Sequence, residues 1–541
     1  MTHQLGVVTE GSFKDGLTVR LDAGISTEAI QVGNFVVVEG DGNRYFSTVA
    51  DLRLRLTDPT LAADPPSSGS PFLRAALAGV HTYATAEVKP SLMLEEKDEL
   101  IGGGGPKPVR TIPMHFAALR EAAGEDFDLV FGREEAGKFA LGSPLTMDHP
   151  IPLDLARLIE RSNGVFGQSG TGKSVLTRLL LCGVIKADMA STLIFDMHSE
   201  YAWQKEGEGG ANLRGLRDTF GSRVAVYSLD GRDAARSALD ATLQIGLNQI
   251  EPGDVELLTE ELNLTPTFAA TAFSLHNEHK ERWLERLLAM DGDAVKEFCA
   301  RTGASQMAVD ALKQKLGLLK GLEYVIDRAT TSVVDDLILR LERGDHVVLQ
   351  FGRHSRLLDY MLVANVLTRR IHRTYTERVL KYDGSRDPAD RPRPLMIVLE
   401  EAHKFLSPAV ARQTIFGTIA REMRKYAVTL LVVDQRPSGI DAEVLSQLGT
   451  KITGLLTEEH DIDAVLTGVA GRSHLRGVLA SLETKQQCLV LGHAIPMPMV
   501  LRTRPYDEEF FRAMGGRAKG RTVEEGRLAR RAALADLYGE D

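Results

Sequence analysis

The chain has 541 residues, 43% hydrophobic and 26% charged, with a formal net charge of −10, so two or three folded units are expected and a surface that coats nucleic acid as a whole is excluded. A basic pore stays open, because phosphate contacts act within a Debye length of roughly 8 to 10 Å. Cys182, Cys299 and Cys488 form no CxxC pair, which excludes a disulfide framework or zinc site. No apolar stretch reaches the roughly 18 residues of a membrane helix, and the start MTHQLGVVTEGSF lacks the features of a secretory signal, so a cytoplasmic protein without membrane association is expected.

Residues 1 to 55 alternate apolar and polar positions in the runs LGVVTE, GLTVRLD, NFVVVEGDG and RYFSTVADLRL, broken by Gly, Asp and Asn. This pattern predicts a small antiparallel barrel or sandwich. The Pro- and Ser-rich stretch 57–72 reads as a loop or linker, a β-like stretch with the glycines 102–105 follows, and the first unit, 1–150, ends there.

From about residue 160 strands alternate with helices, the signature of an α/β unit whose mostly parallel sheet is covered on both faces. Candidate strands are STLIFD (191–196), RVAVYSL (223–229), HVVLQFG (346–352), LMIVLE (395–400), VTLLVVDQ (428–435) and CLVLGH (488–493). The expected organisation is an α/β unit in two parts, 151–250 and 344–505, with a helical insertion over 251–343, and the motif Gly167-x-x-x-x-Gly172-Lys173-Ser174 within it makes that unit a RecA-like P-loop motor. The end, 506–541, carries Arg512, Arg517, Lys519, Arg521, Arg527, Arg530 and Arg531 and reads as a basic tail.

The strongest signal is Gly167-Gln168-Ser169-Gly170-Thr171-Gly172-Lys173-Ser174, a full G-x-x-x-x-G-K-[ST] match between apolar Val165-Phe166 and a helical pattern that starts at Val175. Glycines let the backbone curl until successive N–H groups face the phosphates of ATP, and a helix N-terminus adds its dipole. Lys173 reaches the β/γ-phosphates and the Ser174 hydroxyl joins a Mg²⁺ shell. The residues expected to bind nucleotide are Gly167, Ser169, Gly170, Thr171, Gly172, Lys173, Ser174 and Val175.

In LMIVLEEAH, apolar residues lead to Glu400 and Glu401 at the carboxyl end of a strand, where open α/β sheets bind ligands. Neighbours on a strand point oppositely, so the pair can divide two tasks: Glu400 orienting Mg²⁺ through water and Glu401 polarising the attacking water. Outside this context, paired acids after a strand mark a helix N-terminus.

Further on come Thr418-Ile-Ala-Arg421-Glu-Met-Arg424-Lys425-Tyr426 and, after another strand, Asp434-Gln435-Arg436-Pro437. An E-A-H strand end, an arginine-rich helix and a Q-R-P loop in this order resemble the HerA/FtsK branch of motor ATPases, and the leading barrel narrows the resemblance to the HerA family, over nearly the whole chain. Met423 and Ala427 depart from it, standing where the family commonly has glycines. IFDMHSEY, with Asp196, Glu200 and Tyr201, resembles the family's D-x-x-x-E-Y.

The resemblance implies a homohexameric, ATP-hydrolysing DNA translocase of helicase type, with a separately encoded nuclease or other effector docking on the barrel, in DNA-end processing or antiphage defence. It also implies an arginine finger supplied across subunits, Arg424 before Arg421; the alternative for either is a solvated helix position. Gln435 would sense the γ-phosphate or lytic water, or else cap structure with its amide. Asp196 would complete the metal or water network, or else cap the next turn. His198 and His403 show no metal-ligand spacing. Lys404 and Arg412 are basic candidates for a pore. Two other readings share the P-loop: a protein-remodelling or secretion ATPase, and a nucleotide-dependent scaffold ring.

Overall fold

A computed structural model describes residues 3–63, 72, 76–96, 104–206, 212–232, 239–264, 266–329, 332–411, 414–469 and 472–515. Arg412 and the basic tail from 516 onward lie outside the described residues.

The N-terminal strands close into a barrel. Gln4–Ser12, Ala118–Glu121, Phe35–Glu39, Asn43–Leu56 and Thr82–Glu95 follow one another around it, and Gly16–Leu21 pairs with both Gln4–Ser12 and Thr82–Glu95 to shut the ring. The run Phe35-Val36-Val37-Val38 is apolar throughout because both its faces are buried. Val36 and Val38 join the barrel interior with Val19, Tyr45, Val88 and Leu119. Phe35 and Val37, pointing the other way, join Phe46, Leu92 and Leu94 in a core that continues into the second unit.

The second unit is built on a twelve-stranded sheet. Eight strands are parallel, in the order Ala241–Thr242, Val224–Ser228, His346–Gln350, Ser191–Asp196, Leu395–Glu400, Val428–Asp434, Asn163–Phe166 and Thr450–Thr453. Gln487–Gly492, Met499–Thr503, Lys138–Pro144 and Ile151–Asp154 extend it in antiparallel fashion. This corrects the boundary at 150: Pro144 faces Leu501 and Ser143 faces Arg502, so residues 138–154 belong to the motor sheet. The partner of Lys138–Pro144 lies some 350 residues downstream, beyond the reach of a local pattern, and Ile151–Asp154 joins the sheet through Lys138–Pro144.

The inserted helices, among them Pro266–His279, Trp283–Ala289, Gly292–Thr302 and Gln306–Gly317, gather around the fully buried Trp283, whose indole N–H donates to the Ile250 carbonyl at 2.8 Å. They enter through a narrow neck, the parallel pair Ile245–Gly246 and Val325–Ile326. Helix Val333–Arg343, grouped by sequence with the insertion, instead packs on the sheet, and Tyr227 donates its hydroxyl to Asp336 at 2.7 Å.

Candidate nucleotide site

Strand Asn163–Phe166 runs into the phosphate loop and helix Lys173–Ala187 leaves it. A Cβ on Gly167 would sit 2.6 Å from the Thr171 hydroxyl, so the first glycine is required by the tightness of the turn. Gly172, at φ 82°, stands at the helix start with no side chain capping it. The leading N–H groups of that helix are therefore left for an anion. The loop is tied to the neighbouring strand end: Gly454 N–H donates to Phe166 at 2.9 Å and Gln168 N–H to Leu455 at 3.2 Å.

A cavity of about 1110 Å³ opens over this junction, lined by residues 168–175 together with Glu400, Glu401 and Gln435. Gly167 shapes the loop without lining the cavity. Burial draws Lys173 below the usual lysine range, against the opposing pull of Glu401, Asp434, Glu400 and Glu200.

Glu400 is 5% exposed and its Oε2 has no hydrogen-bond partner among the described residues. Burial, then repulsion from Asp196, Glu200 and Glu401, pushes its carboxyl well above the usual range, with Lys173 pulling the other way. An orphaned carboxyl among acids, in a cavity shared with the Ser174 side chain, fits a hard divalent cation of the kind that takes oxygen ligands. Asp196 does not line the cavity. Its two carboxylate oxygens accept from Glu200 N–H at 2.8 Å and Tyr201 N–H at 2.9 Å, capping the turn after its strand; burial raises its pKa.

Glu401 begins the turn after the strand at φ 47°, in the left-handed region. Gln435 donates its amide N–H to Glu401 Oε1 at 2.9 Å. His403 also belongs here, although sequence spacing offered no reason to include it. Its imidazole lies 2.9 Å from Asp434 and 3.6 Å from Glu401, and the bond to Asp434 holds it above the usual histidine range.

The two candidate finger arginines line no part of this cavity. Arg421, on helix Ile415–Glu422, lies 3.7 Å from Glu443. Arg424, on the following 3₁₀ turn Met423–Tyr426, is exposed and makes no side-chain hydrogen bond or ion pair among the described residues. Ala427 closes that turn at φ 59°, a conformation glycine adopts freely, while Met423 is fully buried. Lys404 is engaged over the Tyr360 ring, 5.0 Å from its centroid.

Sequence reasoning found only Lys173 as positive charge near the phosphates. The cavity is also lined by Arg178, Lys205, Lys485, Arg502 and Arg504. Arg178 is buried and donates to the Glu200 carbonyl, and Arg504 pairs with Glu134 at 3.1 Å. Three of these five come from the antiparallel edge and the turn leading to it, which no local motif signals.

Residues 139–371 match the family profile described as the central domain of helicase HerA. The DNA double-strand break repair helicase HerA of Pyrococcus furiosus is 25% identical over 404 residues, 69% of this chain and 70% of that protein. Its namesake from Sulfolobus acidocaldarius is 24% identical over 398 residues, 73% of this chain and 74% of the relative. Among solved structures, VirB4 of Thermoanaerobacter pseudethanolicus covers 69% of this chain and 97% of its own, at 14% identity and a TM-score of 0.43. A match to the central domain of helicase HerA that takes in the phosphate loop, with relatives aligned over about seven-tenths of both chains, supports a HerA-family, ATP-hydrolysing P-loop motor.

Proposed function

We propose that the chain is an ATP-driven DNA translocase of helicase type that works as a homohexamer. The observation that carries this reading is the single cavity in which the phosphate loop faces Glu400 and Glu401, in a chain whose curated relatives are named DNA repair helicases. Lys173 binds the β/γ-phosphates, and Glu401 polarises the attacking water. Ser174 and Glu400 are the residues that would hold Mg²⁺, which neutralises phosphate charge when bound. Arg424 serves the neighbour's site, in keeping with its exposure and its absence from its own chain's cavity; Arg421 is second, since Glu443 already engages it. The names of the relatives support DNA-end processing over defence. The barrel would be the docking surface for a separately encoded nuclease or other effector, because it carries no phosphate-binding motif.

Hydrolysis measured with and without duplex and single-stranded DNA tests the proposal, together with strand displacement on a tailed duplex. DNA should stimulate turnover in the wild type, and Glu401→Gln should hold ATP without turning it over. Hydrolysis indifferent to every DNA form would overturn the translocase reading and favour a motor that threads polypeptide.

A further inference from the structure

Strands Leu395–Glu400 and Val428–Asp434 are parallel neighbours in register, with Glu400 opposite Val433. Past the ladder their ends stay laced together, Ala402 N–H donating to the Val433 carbonyl at 3.2 Å. Asp434, fully buried, takes the His403 backbone N–H at 2.7 Å and His403 Nδ1 at 2.9 Å on one oxygen, and Arg436 N–H at 2.8 Å on the other. An ionised carboxylate only accepts, so Nδ1 carries the proton. That N–H lies between two acids, since Glu401 Oε2 is 3.6 Å away.

Glu401 is thus flanked on both oxygens: Oε1 takes the Gln435 amide, and Oε2 faces the imidazole N–H. Its own backbone turns through the left-handed region, and these two neighbours are what hold the carboxylate beyond it. A cation among Glu401, His403 and Asp434 would have to displace the N–H donors on Asp434, so the cluster reads as a hydrogen-bonded brace.

We propose that His403, held by Asp434, is a positioning residue for Glu401, keeping its carboxylate aimed at the attacking water. This rests on the reading of Glu401 given under Proposed function. A group misplaced by about 1 Å loses on the order of 10²-fold in rate, so His403→Ala should lower kcat by about 10- to 100-fold while KM for ATP and the affinity for a fluorescent ATP analogue stay within about twofold. His403→Asn, which retains a donor near the Nδ1 position, should recover most of the rate.

The test is a double-mutant cycle in the full-length protein with DNA and Mg²⁺, read by single-turnover hydrolysis and analogue binding. If His403 acts through Glu401, adding His403→Ala to Glu401→Gln lowers the residual rate no further. The proposal is overturned if His403→Ala turns over at the wild-type rate, if it weakens analogue binding in step with kcat, or if it lowers the Glu401→Gln rate by the factor seen in the wild type. Glu401→Gln running at the wild-type rate would instead remove the glutamate assignment, and this proposal with it; that result is separate because it appears with His403 intact.

Discussion

On the phosphate-loop side of the cavity, one strand-to-helix junction supplies eight consecutive lining residues, 168–175. On the acidic side, two strand ends 34 residues apart must meet before Gln435 can touch Glu401. The first arrangement is local and survives wherever the glycines let the chain turn. The second depends on side chains bracing one another across neighbouring strands and, under the proposal above, on an arginine from another subunit. Under that proposal, nucleotide binding and nucleotide turnover rest on different parts of the fold and should break separately.

Removing the phosphate side has the largest effect. Lys173→Ala deletes a charge that faces the phosphates in ground and transition states alike, so analogue affinity and turnover should both fall by about 100-fold or more. Retained affinity in equilibrium binding would show that the loop backbone alone carries the phosphates.

Arg424→Ala should break only turnover, by about 10³-fold, the lower bound for an arginine finger, with analogue affinity unchanged. Mixing these chains with Glu401→Gln chains sharpens the contrast, because some mixed interfaces pair an intact glutamate with an intact arginine. Hydrolysis should reappear on mixing if subunits exchange. Wild-type hydrolysis by Arg424→Ala alone, in a verified hexamer with saturating DNA, would move the assignment to Arg421.

The smallest effect concerns the turn that presents Arg424. Ala427 sits at φ 59°, where a side chain costs on the order of 1 kcal/mol. Ala427→Gly relieves that strain but loosens the unfolded chain, so thermal unfolding should show a gain of less than about 1 kcal/mol. A clear loss of stability would mean that the Ala427 methyl contributes packing that outweighs the strain.

The same local-versus-distant contrast explains what could be read in advance. The phosphate loop, the paired acids and the six candidate strands are signalled by neighbouring residues, and each candidate overlaps a strand of the sheet. Barrel or sandwich was left open because alternation reports burial on one face and says nothing of closure, which rests on Leu17 meeting Val88. The edge strand Lys138–Pro144 falls on the wrong side of the expected boundary because its partner lies near residue 500. Arg502 and Arg504 escaped notice for the same reason. Capping and metal binding at Asp196 look alike in the sequence, since both use a carboxylate at a strand end, and the cap becomes visible only through its two N–H partners.

Phe35 lies 4.8 Å from Phe127 in a tilted contact and 5.7 Å from Phe131 edge to face, and these rings are continuous with the core under the antiparallel edge of the motor sheet. Interiors packed to crystal-like density shift between discrete arrangements and do not bend smoothly. The barrel is accordingly packed onto the motor through this shared core. A rearrangement at the sheet edge that carries Arg502 and Arg504 would therefore reach the barrel as a discrete repacking of that common core.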